Sequence, residues 1–237
     1  MPRTTGAPSR SPQRRAVGVR AGISLAQILE AARSLDPDAL TMQAVADALG
    51  VDRKAVNHHV TDREKLLTLV AMDAFTTSFS VVEIDPDQTW QSACRAYARG
   101  FIDSTLAAGV LADRVRLDDA HVTQVLKPTE AVLNRMTQAG FGDEGAMRAL
   151  SLLVNICLAH TRDRISALRS GVKPRQFILQ SALEQRDPAE YEVLTRIAAL
   201  PVSTYDDVQL DYSIDVFISG AEALRNCVRF RGSACRS

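Results

Sequence analysis

The chain of 237 residues contains no long hydrophobic run; its most apolar stretch, near Leu150–Leu158, is broken by Asn155. A membrane-spanning helix needs roughly 20 apolar residues, so no membrane partner is expected. The first 22 residues carry five arginines and no apolar segment of the kind a secretory leader requires, which predicts a cytoplasmic protein. Cysteine is sparse and scattered: Cys94, Cys157, Cys227 and Cys235 form no CxxC pair and have no histidine at zinc-ligand spacing. Buried reduced thiols are expected rather than a zinc site. There are only four histidines, and no GxSxG elbow, HExxH pair or Walker sequence occurs. His58 and His59 are neighbours, so on a helix they diverge by about 100° and cannot chelate one metal. Asp118-Asp119 near His121 reads as a solvated turn. The sequence therefore implies no enzyme, no cofactor and no metal.

Net charge is absent too, with 28 basic and 28 acidic residues, but the balance conceals a pattern. Residues 1–24 hold Arg3, Arg10, Arg14, Arg15 and Arg20 without an acid, a local +5. Residues 25–79 hold five bases against eight acids, and residues 80–237 hold 18 against 20. Positive charge gathers in the N-terminal arm and in one short segment downstream, where phosphates could be met. That overall balance argues against non-specific wrapping of DNA.

The short segment is Thr41–Val60, TMQAVADALGVDRKAVNHHV. It reads as two helices joined by a tight turn. Small apolar residues Val45, Ala46, Leu49, Val51 and Val56 sit where crossing helices touch, and Gly50 stands where the first helix must stop. Ala46, Gly50 and Val56 have helix-turn-helix spacing, in which the second helix enters the DNA major groove. That helix carries Arg53, Lys54, Asn57, His58 and His59. A basic side chain can bond guanine and Asn can bond adenine, each worth roughly 1–3 kcal/mol of discrimination. Arg53, Lys54 and Asn57 are the candidates for base edges, and Thr41, His59 and Arg63 are better placed for phosphates. His58 reads as a partly packed surface residue.

Ser24–Phe79 as a whole resembles the N-terminal domain of the tetracycline-repressor (TetR) family of transcriptional regulators. The resemblance rests on Leu40-Thr41-Met42 opening the second helix, Leu49-Gly50-Val51 at the turn, His59-Val60 closing the third helix, and Arg63-Glu64-Lys65-Leu66-Leu67 opening a fourth. It covers about a quarter of the chain. Asn57 stands where the family usually carries Tyr, so contacts at that position do not transfer unaltered. Gln43 joins the base-reading candidates because the matching family position often reaches a base. The resemblance also implies an inducer pocket in the C-terminal region, without naming the residues that line it.

Residues 1–22, rich in Arg, Pro, Ser, Thr and Gly, are expected to be a disordered basic arm. Residues 23–80 form the expected helix-turn-helix DNA-binding domain. Ser24 and Gln27 make a capping box for its first helix, whose buried face is Leu25, Ile28, Leu29, Ala32 and Leu35. Thr41 caps the second helix, and Thr61 with Glu64 suits the fourth, which should end near Phe79. Asp85-Pro86-Asp87 marks a joint. Residues 81–237 then read as a larger helical ligand-binding and dimerisation domain.

In that region Trp90, Cys94, Tyr97, Phe101 and Thr105 line one helix face. Pro128 suits the first turn of a helix that buries Val132, Leu133 and Met136 and stops at Gly140. Ala146–Leu168 is a long helix, apolar nearly all round between Ala149 and Ala159 and needing cover there on several sides. Gly171–Pro188 reads as a loop and Ala189–Leu200 as a short helix. A last helix, about Asp206–Val228, carries Leu210, Ile214, Phe217, Ala221, Leu224 and Val228 in a 4-3 stripe. The polar residues Arg99, His121, Arg135, Asn155 and His160, with Trp90, Tyr97 and Phe101, could line a pocket between helices.

The fold expected is all-α. The expected function is a ligand-responsive transcriptional regulator, a repressor, which binds a near-palindromic double-stranded DNA operator as a homodimer and is released by a small-molecule inducer. Ala146–Leu168 and the final helix would form the dimer interface, as the resemblance also implies. The alternative is a helical small-molecule-binding protein or enzyme that uses its N-terminal helices only as scaffold. The exposure of Arg53, Lys54 and Asn57 separates the two.

Overall fold

A computed structural model describes residues 22–115, 122–170 and 174–234. Among them the secondary structure is entirely helical: α1 (Leu25–Arg33), α2 (Met42–Leu49), α3 (Arg53–Asn57), α4 (Arg63–Phe79), α5 (Trp90–Leu106), a 3-10 turn (Gly109–Arg114), α6 (Val122–Gln138), α7 (Asp143–Ser170), α8 (Pro174–Leu183), α9 (Glu192–Ala198) and α10 (Asp207–Ala234). The basic arm up to residue 21, Asp118, Asp119, His121 and Cys235 lie outside the described residues, as does the side chain of Cys227. None of the described helices is long and apolar enough to cross a membrane.

The first four helices form a compact headpiece. Ser24 accepts from the Gln27 backbone while Gln27 reaches back to the Ser24 N–H, so the capping box is complete. Ile28 and Ala32 of α1 are buried, but Leu25 is exposed and Leu29 and Leu35 only half-buried, so the inward face is narrower than the periodicity suggests. Arg33 donates to Asp73 at 2.7 Å and ties α1 to α4. The cap of α4 is Asp62, accepting from the Lys65 N–H at 2.8 Å, not Thr61. A carboxylate next in line outcompetes the hydroxyl, because a charged acceptor bonds the orphan N–H more strongly.

Helix α4 belongs to two cores at once. Leu66 and Leu67 are buried near its start, while Phe75 and Phe79 stack 5.3 Å apart near its end and meet Phe101 and Tyr97 of α5 edge-on. One continuous apolar cluster thus runs from Ile28 to Ala221. At its centre α5 packs against α4, α6 and α7, and α10 lies along α7. Trp90, Cys94, Tyr97, Phe101 and Thr105 are all buried, as their spacing predicts.

Three expectations are corrected. Residues 171–188 are not a loop throughout, because α8 occupies Pro174–Leu183; its polar composition obscured the helix. Helix α6 starts at Val122, so Pro128 lies inside it. The proline removes one N–H, a loss that the buried Val132 and Met136 offset through packing. The stripe on α10 is buried only from Leu210 to Ala221; Leu224 is exposed, and α10 continues to Ala234. Gly140, with φ 93°, ends α6 as expected.

Candidate nucleic-acid interface

The turn between α2 and α3 is built from its backbone outward. Thr41 caps α2, its hydroxyl accepting from the Ala44 N–H at 3.1 Å. At the other end Gly50 takes φ 64°, ψ 33°, a left-handed conformation that costs an L side chain about 1–2 kcal/mol. This turns the Val51 N–H onto the Ala46 carbonyl at 3.0 Å and closes the helix. Asp52 then caps α3, accepting from the Lys54 N–H at 2.8 Å. Val45, Ala46 and Val56 are fully buried at the crossing of the two helices.

Burying Val56 forces the rest of α3 outward. Arg53, Lys54, Asn57, His58 and His59 are all exposed, and no side-chain bond within the described residues occupies Arg53, Lys54 or Asn57. Arg53 and Asn57 are four apart and share a face; Lys54 is turned by about 100°. Gln43 is exposed on the first turn of α2 and donates to Asp47 at 2.7 Å, which holds its amide upright. Gln43, Arg53, Lys54 and Asn57 are thus all exposed to solvent, on the two helices joined by the Gly50 turn. Arg63 is exposed but anchored through one of its nitrogens. Its Nε donates to the Leu40 carbonyl at 2.8 Å, joining α4 to the start of α2.

Sequence reasoning missed Asp47, Asp52 and Arg114. Asp52 had a signal, since an Asp directly before a basic helix start is a common cap. Arg114, at the end of the 3-10 turn, pairs with Glu64 in the first turn of α4, and no local pattern announces such a contact.

Among the described polar residues expected to line a pocket, each is exposed, engaged elsewhere or buried alone. Asn155 is exposed, Arg99 pairs with Asp211 at 2.7 Å, and Arg135 donates to the Pro86 carbonyl and to Gln138. Trp90 packs on Phe141 with centroids 4.9 Å apart, and Arg225 lies 5.6 Å from the Phe141 centroid. Of the described polar candidates His160 is the buried one, and its Nε2 has no hydrogen-bond partner among the described groups. Burial and the neighbouring Arg164 push its imidazole below the ordinary value. Cys94 and Cys157 are buried and free, their thiols pushed up to about 12 by burial, hence protonated and unreactive. No cluster of three or more His, Cys, Asp or Glu among the described residues could hold a metal.

Residues 84–225 match the family described as tetracyclin repressor-like, C-terminal domain. Apo ActR from Streptomyces coelicolor is 25% identical and superposes with a TM-score of 0.64, over 89% of this chain and 100% of that one. ActR in complex with actinorhodin gives 23% identity and a TM-score of 0.65, over 86% and 97% of the two chains. A TetR variant from Acinetobacter baumannii AYE in complex with minocycline gives 15% and 0.54, over 86% and 98%. Taken with the all-helical fold and its N-terminal helix-turn-helix, the match across most of the chain establishes that this protein belongs to the tetracycline-repressor family of transcriptional regulators.

Proposed function

We propose that the protein is a ligand-responsive repressor that binds a near-palindromic operator as a homodimer and leaves it when a small molecule binds the C-terminal domain. The observation that carries this is the exposure of Arg53, Lys54 and Asn57 on a helix whose apolar side is locked by Val56. A scaffold helix would turn those groups against α4 or α5. In this reading Arg53, Lys54, Asn57 and Gln43 read base edges, while Thr41, His59 and Arg63 meet phosphates and set register.

One such helix reads only a few base pairs, so two copies about 34–36 Å apart are needed. The bare apolar residues Met147 and Leu152 on α7, and Val208, Tyr212, Val216 and Leu224 on α10, supply a surface for self-association. Such patches mark interfaces when they are contiguous. Control would pass through α4, which shares both cores and is held to the 3-10 turn by Arg114–Glu64. An inducer shifts the equilibrium only by its differential affinity for the two spacings. The complexes of ActR with actinorhodin and of the Acinetobacter protein with minocycline support a small organic inducer.

Selection of bound DNA from random duplexes by the full chain tests this. A two-fold symmetric consensus with half-sites about one helical turn apart is the expected result. Recovery without enrichment would leave the N-terminal helices as scaffold.

A further inference from the structure

Val56 is the one buried residue of α3, and it fixes which way the helix faces. Lys54 and His58 stand two residues before it and two after. At about 100° per residue each points about 160° away from Val56, so the two straddle the outermost line of the helix, about 40° apart. Asn57 lies about 100° from Val56 and Arg53 only about 60°. Helical geometry continues through His58, whose backbone sits at φ −67°, ψ −24°. Lys54 and His58 are both exposed, and no side-chain bond among the described residues holds either. The histidine that short-range spacing reads as partly packed is thus one of the two residues that meet a docking partner first.

The carboxylates around His58 are engaged by other groups. On α3 and its cap the charged neighbours are Asp52, Arg53 and Lys54, with Asp52 turned onto the Lys54 N–H at 2.8 Å. Helix α2, which packs against α3, carries one charged residue, Asp47, and the Gln43 amide donates to it at 2.7 Å. After His59, at the entry to α4, Asp62 accepts from the Lys65 N–H at 2.8 Å, Arg63 is held on the Leu40 carbonyl, and Glu64 pairs with Arg114. The imidazole of His58 has no carboxylate bonded to it among the described residues, so its charge is available to a ligand.

We propose that His58 is a further DNA contact of α3 and makes operator binding proton-linked: the complex takes up a proton at this imidazole and tightens as pH falls. The inference rests on the DNA-binding reading of α3. A neutral imidazole offers one donor and one acceptor, whereas an imidazolium offers two donors and a positive charge. Phosphate oxygens and the O6 and N7 of guanine are acceptors, so the charged form suits both. Histidine ordinarily changes charge near pH 6.5, and a phosphate beside it favours the charged form. The complex therefore holds the proton to higher pH than the free chain. The added affinity is complete at the acid end and is lost as pH rises through the range where the bound imidazole gives up its proton.

The probe is the duplex that the full chain enriches from random sequences at pH 7. Its dissociation constant is measured by fluorescence anisotropy from pH 8 to pH 6 at constant ionic strength, with circular dichroism of each sample to report the fold. The native chain should tighten by roughly three- to tenfold over that range. His58 is exposed, so its variants keep the fold. His58→Gln should give a distinctly flatter profile, and His58→Lys should bind at pH 8 about as tightly as the native chain at pH 6. Parallel profiles for the native chain and His58→Gln, or a native profile without slope, would overturn the proposal and leave the regulator reading standing. A chain that enriches no duplex brings down the regulator reading, and the proton linkage with it.

Discussion

At the scale of single residues, exposure and backbone conformation decide what each side chain is free to do. Arg53 and Asn57 share a face of α3, free of side-chain bonds among the described residues. Replacing either by Ala should cost roughly 1–3 kcal/mol of operator affinity and relax preference at one base pair. Binding of Arg53→Ala to operator and scrambled duplexes checks this; an equal loss on both would make Arg53 a phosphate contact. Gly100 illustrates a constraint that composition hides. A Cβ there would stand 2.7 Å from both Val82 methyl carbons, because the joint crosses α5 at that point. Gly to Ala in a helix usually stabilises by about 0.5–1 kcal/mol. Here the sign should reverse, to a loss of about 1–3 kcal/mol from overpacking. Denaturant unfolding of Gly100→Ala measures it, and adding Val82→Ala should recover most of the loss.

At the scale of elements, the junction of α7 with the start of α10 is the place where protonation matters. His160 is 6% exposed, with Arg164 on its own helix and Asp163, Asp206 and Asp207 pulling the opposite way. Desolvation and Arg164 prevail, so the folded imidazole takes up its proton at lower pH than the unfolded one. The unfolded chain therefore binds the proton first as pH falls below about 6.5, the ordinary value. The contribution of this group to stability is complete above that pH and is lost as pH drops towards the folded value. Thermal midpoints from pH 7.5 to 5 should fall for the native chain, and less steeply for His160→Gln. Parallel slopes would assign the acid sensitivity to other groups.

At the scale of the whole molecule, the bare faces of α7 and α10 carry the assembly argument. The pair Phe217 and Leu224 is the natural choice from the heptad-like stripe, but the structure divides it. Phe217 is 4% exposed within the subunit and Leu224 70%. A charge at Phe217 would break the subunit core instead of an interface. Leu152, at 53%, and Val216, at 55%, are the appropriate sites. Leu152→Glu with Val216→Glu should give folded monomers in sedimentation equilibrium, with tight operator binding lost. A double variant that sediments as a dimer would place the interface elsewhere. The basic arm supplies a second whole-molecule test. Deleting residues 1–22 should lower affinity and flatten the slope of log affinity against log salt, since each phosphate contact contributes about 0.9 to that slope. An unchanged slope would remove the arm from the interface.

The sequence by itself determined what is local. The capping box at Ser24, the cap at Thr41, the left-handed stop at Gly50 and the buried face of α5 follow from short-range periodicity and backbone preference, which act within one or two turns. The solvent-facing set on α3 follows as well, because burying Val56 fixes the direction of its neighbours. The bounds of α6 and α8 were not legible, because a proline sits inside α6 and polar residues flank the apolar ones of α8. Only the tertiary structure decided which apolar residues stay bare. Phe217 and Leu224 belong to one stripe, yet one faces α10's own subunit core and the other faces solvent. It alone paired Arg114 with Glu64, set Gly100 under Val82, and joined Arg95 and Arg99 of α5 to Asp215 and Asp211 of α10. Those contacts join residues well beyond one or two helical turns of each other, and their register depends on how whole helices cross, which no local spacing encodes.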